Sequence, residues 1–90
     1  MGTALIQLKI MPKSPGSDLK EIQRKAEKII KENKGENPQF KAEPIAFGLT
    51  ALIASFAIDE SVPTESFEKN LKKIPNVSSA EIIDFRRAFG

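Results

Sequence analysis

The segment Thr50–Ile58 constrains the fold most, because it is almost continuously apolar in a chain rich in Lys and Glu. Its sequence, TALIASFAI, is much shorter than the roughly 18 apolar residues of a membrane span. A short apolar run of this kind is typical of a strand in the middle of a sheet. We therefore expect the rest of the chain to form a sheet around it, with this strand in a central position.

Three further segments have the pattern of β-strands. Thr3–Met11 alternates apolar and polar residues, which predicts a strand with one buried face. Gln39–Ala46 is a weaker candidate, since Pro44 cannot donate a backbone hydrogen bond and is acceptable only at a sheet edge. Val77–Arg86 is the last candidate, and its two adjacent isoleucines leave open which face is buried.

Two segments between the strands have helical spacing. The first begins after Asp18, a typical N-terminal cap, and its apolar residues recur at helical intervals until the helix ends before Asn33. The second has three apolar residues on one face. It can be capped by Ser61 or Thr64, and Pro75 stops it.

The predicted order is β-α-β-β-α-β, with loops that include Gly35–Pro38 and a turn at Phe47-Gly48. This order predicts a ferredoxin-like α+β fold, a βαββαβ two-layer sandwich of a four-stranded antiparallel sheet with two helices on one face. Right-handed crossovers place the first and third strands in the centre and the second and fourth at the edges. A chain of 90 residues has room for one such core, so 1–90 is expected to be a single domain.

Composition limits the chemistry that is available. The chain has no Cys and no His, which excludes zinc fingers, thiol nucleophiles and catalytic triads that need an imidazole. We expect no metal, no other cofactor and no covalent chemistry. The net charge of +2 is too small to indicate nucleic-acid binding by itself. The N-terminus has no signal-peptide pattern, so the expected location is cytoplasmic, without a membrane partner.

Two features stand out as candidate functional residues. One is Phe47, because a turn seldom needs an aromatic ring. The ring is either folded back over the sheet edge or presented to a partner. The other is the run that contains Phe85, Arg86 and Arg87. These arginines are either solvated, with one of them paired to Asp84, or functional.

Two other classes of protein with this fold fit the sequence less well. An RNA-recognition module needs a basic-Gly-aromatic-Gly-aromatic pattern, but Ile45-Ala46 replaces the basic-Gly pair here and Leu49 the second aromatic. An acylphosphatase-type hydrolase needs a glycine-rich phosphate loop, and the chain has none. The adjacent acids Asp59-Glu60 lie at a strand end, where solvated carboxylates are ordinary. An RNA-binding module remains the alternative function.

The sequence is similar to a known family in two places. PIAFGLTAL at Pro44–Leu52, followed by EIIDFRR at Glu81–Arg87, resembles archaeal elongation factor 1-beta and the C-terminal exchange domain of its eukaryotic homologue. The resemblance implies that 1–90 is a guanine-nucleotide exchange domain. Its expected partner is the GTPase elongation factor 1-alpha, from which it promotes GDP release, without direct contact to nucleic acid.

The resemblance also implies roles for individual residues. The aromatic residue of the family's Pro-x-x-aromatic-Gly motif lies on the partner-binding surface and corresponds to Phe47. We expect its neighbours Ile45 and Gly48, and also Phe85, to contribute to that surface. A basic residue near the end of the family's sequence reaches toward the Mg²⁺ and phosphates of the GTPase. This catalytic role corresponds to Arg87 or to the adjacent Arg86; the eukaryotic pattern has Lys at this point.

Overall fold

The computed structural model describes residues 2–88, so Met1, Phe89 and Gly90 lie outside the described part. The elements are β1 (Thr3–Pro12), α1 (Leu19–Glu32), β2 (Glu36–Pro44), β3 (Thr50–Asp59), α2 (Glu65–Lys72) and β4 (Val77–Ala88). The strands form one four-stranded sheet in the order β2-β3-β1-β4, with every pair antiparallel. The predicted ferredoxin-like fold is therefore confirmed, including the central position of β1 and β3.

One face of the sheet carries both helices. The inward residues of β1 and β3 form a single apolar core with residues of both helices, among them Ile22, Ile30, Phe67 and Leu71. The rings of Phe56 on β3 and Phe67 on α2 lie 4.8 Å apart between centroids at an interplanar angle of 46°, a favourable arrangement for two aromatic rings. We call this side the helix face. The opposite side, which carries Leu5, Gln7, Ser55 and Ala57, is called the open face.

The two helices begin in different ways. At the start of α1, Asp18 accepts hydrogen bonds from the backbone N–H groups of Lys20 at 3.0 Å and Glu21 at 3.2 Å, which confirms the predicted cap. Thr64 occupies the N-cap position of α2, but its side chain makes no capping hydrogen bond because its backbone is already helical. Capping by Ser61 is wrong as well, since its hydroxyl donates to Asp59 Oδ1 at 2.7 Å.

The boundaries of β2 differ from the prediction. The predicted loop Gly35–Pro38 was partly wrong, because the strand already begins at Glu36. The pairing with β3 shifts between Glu36 and Gln39, and Asn37 has a φ of 52°. This irregularity accommodates Pro38, which has no N–H to donate to the ladder. At its other end β2 stops at Pro44 rather than Ala46, in agreement with an edge strand that contains proline.

A β-bulge in β4 explains why the two adjacent isoleucines gave no clear pattern. Ile82 pairs with Leu8 and Asp84 pairs with Gln7, so Ile83 is an extra residue opposite neither of them. Ile82 therefore packs against the core, whereas Ile83 is about half exposed. Beyond the bulge the alternation between the two faces is reversed.

Candidate functional site

The first part of the candidate site is the hairpin tip between β2 and β3. The N–H of Leu49 donates to the carbonyl of Ala46 at 3.2 Å, and the N–H of Ile45 donates to the carbonyl of Leu49 at 2.7 Å. The two central residues, Phe47 and Gly48, have φ angles of 61° and 75°. Positive φ at both central residues is the requirement of a type I′ turn, which suits the twist of a hairpin. The predicted turn is confirmed.

Phe47 has an unusual combination of backbone and side-chain placement. Its left-handed φ is costly for a residue with a side chain, by about 1–2 kcal/mol, whereas Gly48 adopts the same region freely. Its side chain is 94% exposed, so the ring is not folded back over the sheet edge. A strained backbone that holds an aromatic ring in solvent is a reason to suspect a binding function. Its predicted contact with a partner stays a prediction.

The second part of the candidate site is the far end of β4, where two adjacent arginines lie on opposite faces of the sheet and the bulge determines which face each one occupies. Arg86 pairs with Leu5 and therefore lies on the open face, with its Nε 3.0 Å from Asp84 Oδ2. Arg87 pairs with the inward-facing Ala4 and lies on the helix face, with its Nε 3.4 Å from Glu60 Oε2. Asp84 thus pairs with one of the two arginines, Arg86, which was one of the alternatives left open by the sequence.

Both arginine side chains remain accessible in spite of these ion pairs. The side chain of Arg86 is 76% exposed and that of Arg87 is 71% exposed. Exposed ion pairs contribute only about 0–1 kcal/mol. A cation of this kind can therefore exchange its carboxylate for another anion at little energetic cost.

Other residues at this end have separate roles. Asp59 accepts hydrogen bonds from the N–H and the hydroxyl of Ser61, at 2.9 and 2.7 Å. These bonds hold the pKa of Asp59 below its usual range. Glu60 forms an ion pair with Arg87. Of the two adjacent acids, Asp59 therefore stabilises a turn and Glu60 binds an arginine.

Phe85 pairs with Ile6 and belongs to the helix-face positions of β4, where it is 47% exposed.

The predicted site residues form two groups rather than one. Ile45, Phe47 and Gly48 lie at the hairpin tip, and the group around the two arginines lies at the opposite end of the sheet. Residues 50 to 58 of β3 span the distance between them, which at about 3.3 Å per residue is about 26 Å. The described part of the chain has a longest extent of 42 Å. A partner must therefore be large enough to contact both ends if both groups bind it.

An open groove lies beside Arg86 on the open face. Its volume is about 420 Å³, and its lining includes Leu5, Ser55, Ala57 and Asp84. An RNA-recognition module carries aromatic rings at such positions of the central strands, where bases stack on them. Here aliphatic and small polar side chains occupy these positions, while the ring of Phe56 is buried in the core on the helix face. The geometry of this face does not favour the RNA-binding alternative.

Within residues 2–88, no cluster of three or more His, Cys, Asp or Glu side chains is arranged to hold a metal ion. Neither α1 nor α2 has the length and apolar character needed to cross a membrane.

The fold and the surface features define a small ferredoxin-like α+β protein whose candidate site residues lie at the two ends of its sheet. The chain belongs to the EF-1 guanine nucleotide exchange domain family, whose sequence model matches residues 5–88. It is 43% identical to elongation factor 1-beta of Nanoarchaeum equitans over 82 residues, which is 90% of this chain and 100% of the relative. It is 41% identical to elongation factor 1-beta of Methanobrevibacter smithii over 88 residues, or 97% of this chain and 98% of the relative. The resemblance noted in the sequence is thus confirmed.

Two features of the site were missed from the sequence. One was the bulge that determines which face each arginine occupies, although the adjacent pair Ile82-Ile83 was a visible sign of it. The pairing of Glu60 with Arg87 was the other. Nothing in the sequence indicated it, because it depends on β1 bringing the ends of β3 and β4 together.

Proposed function

We propose that this chain promotes GDP release from elongation factor 1-alpha during translation elongation, which places its action in the cytoplasm. Membership in the exchange-domain family supports the class of activity. The observation that carries the proposal is the ring of Phe47, which is 94% exposed on a strained hairpin tip. Such a ring becomes a strong anchor when a partner covers it, as aromatic residues at the centres of interfaces commonly do.

The proposed chemistry is competition for charge, with no covalent step. GDP is held in a GTPase by contacts of its phosphates with the phosphate loop and with Mg²⁺. A guanidinium that approaches this site repels the metal ion and is attracted to the same anionic groups that bind it. Arg87 is the first candidate, because it corresponds to the family's basic residue, and the adjacent Arg86 is the second. Both side chains are largely exposed and each forms a weak ion pair.

The two ends of the sheet have different tasks in this proposal. The hairpin tip supplies binding energy through Phe47, with Ile45 beside it and Gly48 completing the turn. The arginine end, with Phe85 next to it, supplies the cation. Their separation of about 26 Å implies contact with two distinct regions of the GTPase. By linkage, a factor that prefers the nucleotide-free GTPase weakens GDP binding by the same amount as GDP weakens binding of the factor.

The test is stopped-flow release of a fluorescent GDP from elongation factor 1-alpha. The wild-type chain should accelerate release, and Arg87→Ala or Arg86→Ala should reduce the maximal rate while leaving the fold intact. Phe47→Ala should raise the concentration of chain needed for half-maximal acceleration. An exposed residue outside both groups, such as Glu65→Ala on α2, is the matched control and should behave like the wild type. Unchanged release with both arginines replaced would refute the competing-cation mechanism.

A further inference from the structure

The bulge at Ile83 determines which face of the sheet each arginine occupies. Ile82 faces the core, so strict alternation from it would place Arg86 on the helix face and Arg87 on the open face. The extra residue reverses this, and Arg86 lies opposite Leu5 while Arg87 lies opposite Ala4. The direction of either cation toward a partner therefore depends on one irregularity in an edge strand.

A carboxylate from α2 is bound to the backbone at this irregularity. The N–H of Ile82 donates to Oε2 of Glu68 at 2.8 Å, and the bond is partly buried. This bond joins the helix layer to β4 at the residue immediately before the extra one. A hydrogen bond to a charged acceptor is stronger than a neutral one. It fixes Ile82 relative to α2, which is itself held in the core by the fully buried Phe67 and Leu71.

We infer that Glu68 is a positioning residue for Arg86 and Arg87: it holds the bulge at Ile83 and thereby assigns each arginine to its face. The inference rests on the proposed exchange function for its activity readout. Its structural content, the register of β4, does not depend on that function. Without the carboxylate, a shift of one residue brings Asp84 opposite Ile6 and exchanges the faces of the two arginines.

The test compares Glu68→Ala with Glu68→Gln, which keeps a side-chain oxygen that can accept the bond from Ile82. Glu65→Ala is the matched control, since Glu65 lies on the same helix and is exposed. Backbone nuclear Overhauser contacts between β1 and β4 report the register. In Glu68→Ala, the pairing of Asp84 with Gln7 should no longer be the only one, and contacts of a second register, with Asp84 opposite Ile6, should appear. Glu68→Gln and Glu65→Ala should keep the original one. An unchanged register in Glu68→Ala would overturn the inference.

The activity measurement separates positioning from general destabilisation. Glu68→Ala should lower the maximal rate of GDP release severalfold when both arginines are present, whereas the Glu68→Gln variant should keep a rate close to that of the wild type. In a chain that carries Arg86→Ala and Arg87→Ala, Glu68→Ala should cause no further loss. An equal loss in both backgrounds would contradict a positioning role. If replacing both arginines leaves release unchanged, the cation mechanism fails, and the register of Glu68→Ala still decides the inference.

Discussion

The Phe47→Ala substitution separates binding from stability. The ring is 94% exposed, so its removal leaves the core intact, and we expect a change in unfolding free energy within about 0.5 kcal/mol. In a complex, nearly the whole ring is available to be covered by the partner. Full burial of a Phe side chain contributes about 1.5–3 kcal/mol. At 1.4 kcal/mol per factor of ten, Kd for elongation factor 1-alpha should rise about 10- to 100-fold.

The assay is titration of the nucleotide-free GTPase with wild-type chain, Phe47→Leu and Phe47→Ala, together with thermal unfolding of each chain. Phe47→Leu keeps an apolar side chain at the tip and should have an intermediate affinity. Two results would refute the reasoning. One is an unchanged Kd for Phe47→Ala, because the ring would then not be buried by the partner. The other is a large fall in Tm with normal affinity, because Phe47 would then have a structural role.

Three further predictions concern the arginines, the core and a helix cap. Arg87→Ala should reduce the maximal rate of GDP release more than Arg86→Ala in the stopped-flow assay; the reverse order would assign the cation role to the open face. Phe67→Ala removes a fully buried ring that packs on Phe56 and should cost about 3–5 kcal/mol in chemical denaturation, whereas a loss below about 1 kcal/mol would contradict the described core. Asp18→Ala removes a side chain that accepts two backbone hydrogen bonds at the start of α1 and should cost about 1 kcal/mol, with Asp18→Asn as the control that retains most of it.

Much of the fold could be predicted because local patterns and topology agree. The apolar run at Thr50–Ile58 required a central strand, and Pro44 required an edge strand. The βαββαβ order with right-handed crossovers satisfies both requirements. Asp18 was recognisable as a cap because its interaction with the helix start is local in sequence. These features depend on residues that are close together in the chain.

The features that were not predicted depend on long-range pairing. The bulge at Ile83 arises where β4 pairs with β1 and where Glu68 reaches the strand from α2. The ion pair between Glu60 and Arg87 forms because β1 pairs with both β3 and β4. β2 also begins earlier than predicted, because a shift in its pairing with β3 accommodates Pro38, which has no N–H for the ladder. Sequence patterns identified the two arginines, but only the register of the sheet shows which face each one occupies.

The central claim is that this chain accelerates nucleotide exchange by presenting a cation to a GTPase. The most direct measurement is the rate of fluorescent GDP release from elongation factor 1-alpha, at saturating concentrations of the wild-type chain and of the chain with Arg86→Ala and Arg87→Ala. The account predicts strong acceleration by the wild type and loss of most of it in the double variant, with both chains equally folded. Equal acceleration by the two chains, or none by the wild type, would contradict it.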